Sequence, residues 1–81
     1  MAKKFKKKIL SFSVIYEAVS EGGWVVWVPF LPGCHTQGET LEEAEKNVKE
    51  AISVYLESLI SHRESFPREE RILQGKVEVE I

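Results

Sequence analysis

The five residues Trp24-Val25-Val26-Trp27-Val28 contain no polar side chain, and they are bracketed by Gly22-Gly23 and Pro29. A run this short, made of valine and tryptophan and stopped by a proline, reads as a β-strand. Side chains alternate between faces along a strand, so a strand apolar at every position needs cover on both. It therefore belongs at the centre of a sheet, with strands beside it and something packed above and below. An 81-residue chain has little to spare for two covers. Domains of this size bury only around 60% of the surface their unfolded chains expose.

The flanking strands are legible. From Phe5 to Val19 the pattern has period two, with Leu10, Phe12, Val14, Tyr16 and Ala18 on one face. Ser11, Ser13 and Glu17 lie on the other face, together with Ile9 and Ile15. Ser20-Glu21-Gly22-Gly23 and Leu31-Pro32-Gly33 are turn signals on either side of the central run. Cys34–Gly38 reads as a short third strand with the polar content of a sheet edge. Thr40 then opens the one clear helix. Thr40 and Glu43 have capping-box spacing, and Glu42 and Glu43 suit the positive end of the helix dipole.

The helix has an apolar stripe at Leu41, Ala44, Val48, Ala51, Ile52, Tyr55, Leu56, Leu59 and Ile60. His62–Gly75 is a polar connection broken by Pro67, and Val77, Val79 and Ile81 then alternate with Glu78 and Glu80 as a final strand. The predicted fold is α+β: a three-stranded antiparallel meander, one helix, then a fourth strand parallel to the first through a right-handed crossover. Residues 1–81 are expected to form a single domain, with 1–8 as a basic N-terminal segment. One helix covers one face of such a sheet. Trp27, Ile9, Ile15 and either Val25 or Val26 are left on the other, where a partner or a second copy is expected. Phe66, Ile72 and Leu73 could instead fold back over that face.

Other classes are disfavoured. All 13 acidic residues are glutamate, whereas two-metal nucleases commonly cluster aspartate with glutamate around ions about 4 Å apart. A net charge of −2 does not suit a general nucleic-acid binder. Lys3, Lys4, Lys6, Lys7 and Lys8 could grip phosphates, but they read more simply as a solvated tail that blunts a sheet edge. These lysines precede Ile9–Ala18, which Ser11, Ser13 and Glu17 interrupt, so a signal peptide does not fit. No run of 18 apolar residues occurs, which excludes a membrane-spanning helix. The lone Cys34 cannot form an internal disulfide and fits a reducing cytoplasm. Cys34 and His35 point to opposite faces of a strand, so no shared metal or nucleophile–base pair is expected there. No cofactor, metal or catalytic residue is expected. The glycines lack the Lys-Ser/Thr pair and following helix of a phosphate loop.

The run Gly22-Gly23-Trp24-Val25-Val26-Trp27-Val28-Pro29, then Leu31-Pro32-Gly33-Cys34, Thr36-Gln37-Gly38 and Thr40-Leu41-Glu42-Glu43-Ala44 resembles the HicB antitoxin family. The likeness continues through Asn47 and Glu50-Ala51-Ile52 and fades after about Leu59, covering nearly half the chain. It implies a partial ribonuclease-H-like fold of order β-β-β-α-β. It also implies an antitoxin that neutralises a small HicA-type mRNA interferase, a ribonuclease with a catalytic histidine. Two departures stand out: Phe30 occupies the position where the family usually has Asp, and Glu39 replaces the Asp before Thr40. Many such antitoxins continue into a DNA-binding module, and an end at Ile81 makes direct operator binding unlikely to belong to this chain.

The candidate partner-binding residues are Trp24, Trp27, Phe30, Leu31, Glu42 and Glu45. Aromatic residues supply large rigid area at interface hot spots, and they also fill cores. Alternation puts Trp24 and Trp27 on opposite faces, so at most one is core under the helix. The glutamates complement a small basic HicA-like toxin and would steer its approach. The expected assembly is a homo-oligomer, a dimer or tetramer, because a domain this small has no disulfide or metal to stabilise it. The alternative is a stand-alone homo-oligomer with a regulatory or structural role and no cognate toxin.

Overall fold

The computed structural model describes residues 10–65 and 73–81. Within them lie strands β1 (Ile15–Ala18), β2 (Trp24–Trp27) and β3 (His35–Gly38), followed by helix α1 (Leu41–Ser61). The strands form one antiparallel sheet in the order β1-β2-β3, as the central apolar run requires. The first hairpin closes where Gly22 N–H donates to the Val19 carbonyl at 2.9 Å and Val19 N–H to the Gly23 carbonyl at 3.0 Å. Gly22 and Gly23 have φ of 108° and 84°, a region that glycine enters without steric cost. In the second hairpin Val28 N–H donates to the Cys34 carbonyl, with turns nested inside it at Val28–Leu31 and Leu31–Cys34.

Register divides the sheet into two faces. Tyr16, Val26 and Thr36 stand opposite one another, as do Ala18, Trp24 and Gly38. These two rows lie under α1, because Val26, Tyr16 and Trp24 belong to the core or pack against it. The alternate rows, Ile15-Trp27-His35 and Glu17-Val25-Gln37, face away from the helix. The core consists of Val26, Val28, Leu31, Cys34, Ala44 and Val48, with Phe12, Val14, Tyr16, Phe30, Ala51, Ile52 and Tyr55 packed around it.

Helix α1 sits close over β3. A Cβ on Gly38 would fall 2.9 Å from the Ala44 Cα and from the Glu43 carbonyl carbon, so only glycine lets the helix approach this near. Asn47 Nδ2 donates to the Gln37 carbonyl at 2.7 Å and ties the second turn of the helix to the strand. At the start of α1, Thr40 Oγ1 accepts from Glu43 N–H at 3.1 Å. The Glu43 carboxylate reaches back to Glu39 N–H, also at 3.1 Å, so the capping box closes one residue earlier than its spacing implies. At the other end His62 is the cap and Arg63 adopts φ 55°. Arg63 N–H donates to the Ile60 carbonyl and Glu64 N–H to Leu59, the Schellman arrangement, with arginine where glycine usually stands.

Three expectations change. Residues 10–14 are not in the sheet, so β1 is shorter than the period-two pattern suggests. Leu41 and Ile60, assigned to the buried stripe, are 42% and 60% exposed. A 21-residue helix is about 30 Å long while four-residue strands span about 13 Å, so its ends overhang the sheet. The third concerns residues 73–81, which pair with no strand: Val77, Val79 and Ile81 are each at least 80% exposed. Alternation marks a segment fit to be a strand but does not supply the edge it pairs with. Leu73 is 81% exposed and covers nothing, while Ile9, Phe66, Pro67, Ile72 and the N-terminal lysines lie outside the described residues.

Candidate partner-binding surface

The face turned away from α1 carries the apolar residues that the chain does not bury in its own core. Trp27 stands between Ile15 and His35, and Val25 between Glu17 and Gln37. Ile15, Val25 and Trp27 are half-buried, while Glu17, His35 and Gln37 are exposed around them. A concavity of about 890 Å³ along β2 and β3 has Val25, Trp27, His35 and Gln37 in its wall. An apolar centre with a polar rim is the usual anatomy of a protein interface.

The structure separates the six residues singled out from sequence. Trp27 is on the open face; Trp24 lies on the helix side and packs against the core. Leu31 is 1% exposed, a core residue despite its place in a loop. The paired turns around it fold its side chain inward, and Gly33 at φ 81° completes the reversal. Phe30 packs against the same core. It also walls a groove of about 420 Å³ with Pro32, Tyr55, Leu59 and Arg63. An aromatic ring thus makes apolar contacts where the resemblance leads one to look for a carboxylate. Glu42 and Glu45 are exposed on the first turns of α1, across the sheet from Trp27. Trp27 and these two glutamates therefore do not form one continuous patch.

Electrostatics follow burial. The Tyr16 phenol is pushed above its ordinary value, first by desolvation and then by the charge of Glu45. Burial raises the Cys34 thiol as well. A thiol shifted this way stays protonated at neutral pH and is a poor nucleophile. Neighbouring His35 is exposed and belongs to the open-face row. Among the described residues no group of three or more His, Cys, Asp or Glu is placed to hold a metal ion, and no helix is long and apolar enough to cross a membrane.

Residues 12–80 match a family described as the HicB-like antitoxin of bacterial toxin-antitoxin systems. The chain belongs to the HicB-like antitoxin family. The match runs past Leu59 and takes in Val77 and Val79. This HicB-like chain is 43% identical to UPF0150 protein ssr1765 of Synechocystis over 68 residues, covering 84% of this chain and 86% of that one. It is 50% identical over 60 residues to UPF0150 protein Ta0767 of Thermoplasma acidophilum, covering 74% and 87%. An uncharacterized 14.9 kDa protein of Haemophilus phage HP1 is 41% identical over 63 residues, which cover 78% of this chain and 47% of the phage protein. Sequence reasoning reads Leu31 as a contact residue because it sits in a loop between prolines, whereas its side chain is core. It misses Asn47, which acts through a backbone carbonyl that no side-chain pattern reveals.

Proposed function

We propose that this chain is a cytoplasmic antitoxin that neutralises a small, basic HicA-type mRNA interferase by covering its active surface, through binding and not catalysis. Family membership supports the antitoxin class, and the observation that carries the contact is Trp27 with Ile15 and Val25 on the face opposite α1. Tryptophan in a half-desolvated centre ringed by polar groups is a common interface anchor. Glu42 and Glu45 act at longer range, steering a basic partner before contact. Leu31, Trp24 and Phe30 serve the same contact indirectly by holding β2 and the hairpin in place.

Co-expression with the small basic protein encoded beside the gene tests this reading. Copurification and relief of that protein's growth arrest are expected, with both lost in Trp27→Ala. If the wild-type pair neither copurifies nor relieves arrest, the antitoxin function is wrong. The second reading is a stand-alone homo-oligomer with no cognate toxin. The exposed apolar alternation at 77–81 favours it, and a gene with no small basic neighbour would support it.

A further inference from the structure

The sheet has two outer strands, and their edges differ. Val28 N–H bonds the Cys34 carbonyl, so by antiparallel alternation Gln37 turns its own N–H and C=O away from β2. Asn47 Nδ2 occupies that outward Gln37 carbonyl, and α1 lies over β3, so this edge is blunted. At the other side Val19 N–H bonds the Gly23 carbonyl, which by the same alternation turns the backbone groups of Tyr16 and Ala18 outward from β1. Among the described residues no backbone group pairs with that edge.

Beside the β1 edge lies an apolar corner. Phe12, Val14 and Tyr16 present half-buried side chains on the helix side of the sheet. Helical spacing puts Leu41, Glu45, Ile52 and Leu56 on the flank of α1 opposite Asn47, which reaches over β3 to the Gln37 carbonyl, so this flank turns toward the β1 side of the sheet. Leu41 on that flank is 42% exposed, and Ile52 and Leu56 are half-buried.

The segment that fits this corner is in the chain but not on it. Residues 73–81 are exposed throughout. Val77, Val79 and Ile81 would share one face of a strand, and Glu78 and Glu80 the other. A strand whose apolar face is left exposed needs an edge and a covered corner. A second copy of this chain offers both.

We propose that residues 77–81 of one copy add as a strand to the β1 edge of a second copy, and reciprocally, with Val77, Val79 and Ile81 packing into the corner between Phe12, Val14, Tyr16 and the Ile52–Leu56 flank of the helix. The exchange also sets Glu78 and Glu80 on the open face beside Glu17. Each Trp27 surface then has an acidic rim completed by the other copy. The exchange itself does not depend on the identity of any toxin.

Light scattering of the full chain across a concentration series, with and without the double change Val77→Glu and Val79→Glu, is the first test. A dimer is expected for the wild type, and the variant should dissociate at least about 100-fold more readily, given two lost buried valines. Because these side chains are exposed in the single copy, the variant keeps its circular dichroism spectrum. A half-labelled, half-unlabelled mixture should show isotope-filtered contacts between chains, from the Val79 methyls to Val14 and Tyr16. A wild type that stays monomeric, contacts confined within one chain, or a dimer that survives the double change would each overturn the proposal. Failure of toxin binding would not.

Discussion

The two faces of the sheet are made from the same kinds of residue and end in different states. Val26 is completely buried under α1, whereas Val25 and Trp27, its immediate neighbours, look the other way and stay half-buried. Nothing in the chemistry of Val25 and Val26 distinguishes them; register does. Among the described residues the helix covers one face, and no other helix or strand packs over the second. The side that the chain covers itself sets stability, and the open side is the surface proposed for recognition.

Substitutions on the two faces should therefore separate stability from binding. Val26→Asp places an unpaired carboxylate in the core and is expected to cost about 4 kcal/mol or more, leaving the chain largely unfolded by circular dichroism. Val25→Asp, on the open face, should cost only about 1 kcal/mol in a urea melt. Equal losses would erase the distinction between faces. Gly38→Ala comes next, at about 3 kcal/mol, because the added methyl meets the backbone of Ala44 and Glu43 rather than a movable side chain. Gly33→Ala meets no neighbour within 4 Å, and its cost of about 1 kcal/mol reflects φ alone.

The tryptophans give the sharpest contrast. Trp24→Ala is expected to lower stability by about 2 kcal/mol, whereas Trp27→Ala lowers it by about half that. Only Trp27→Ala should weaken partner binding by about 2 kcal/mol without disturbing the fold, as read by calorimetric titration. The smallest effect concerns Cys34. Its thiol is held above the ordinary 9.0, so the unfolded chain ionises first as pH rises. Stability is complete below that value and is lost as pH climbs through the folded thiol's range. Thermal melts between pH 8 and 9.5 should fall more steeply for the wild type than for Cys34→Ala.

Much of this arrangement was legible in the sequence because local rules govern it. Gly22-Gly23 and Gly33 fall in turns, Thr40 caps the helix, and alternation assigns Trp24 and Trp27 to opposite faces. What was not legible depends on distance. Leu31 is core because two consecutive turns reverse the chain around it, and Leu41 is exposed because the sheet beneath it is short. The fate of Val77, Val79 and Ile81 was least legible: their alternation names a strand, but pairing is a property of two edges. Residue type marks the six candidate contact residues, and type alone does not show that Trp27 and Glu45 lie on opposite sides of the sheet.

The bond from Asn47 to the Gln37 carbonyl also bears on the size an assembly can reach. A sheet with two bare edges can add copies at both, and repeated addition builds a fibre. With one edge stoppered by a side chain from the helix above it, reciprocal strand donation between two copies uses up the remaining edge of each. A single amide at position 47 thus helps keep edge-to-edge association finite, guarding a small domain rich in exposed valine and isoleucine against aggregation.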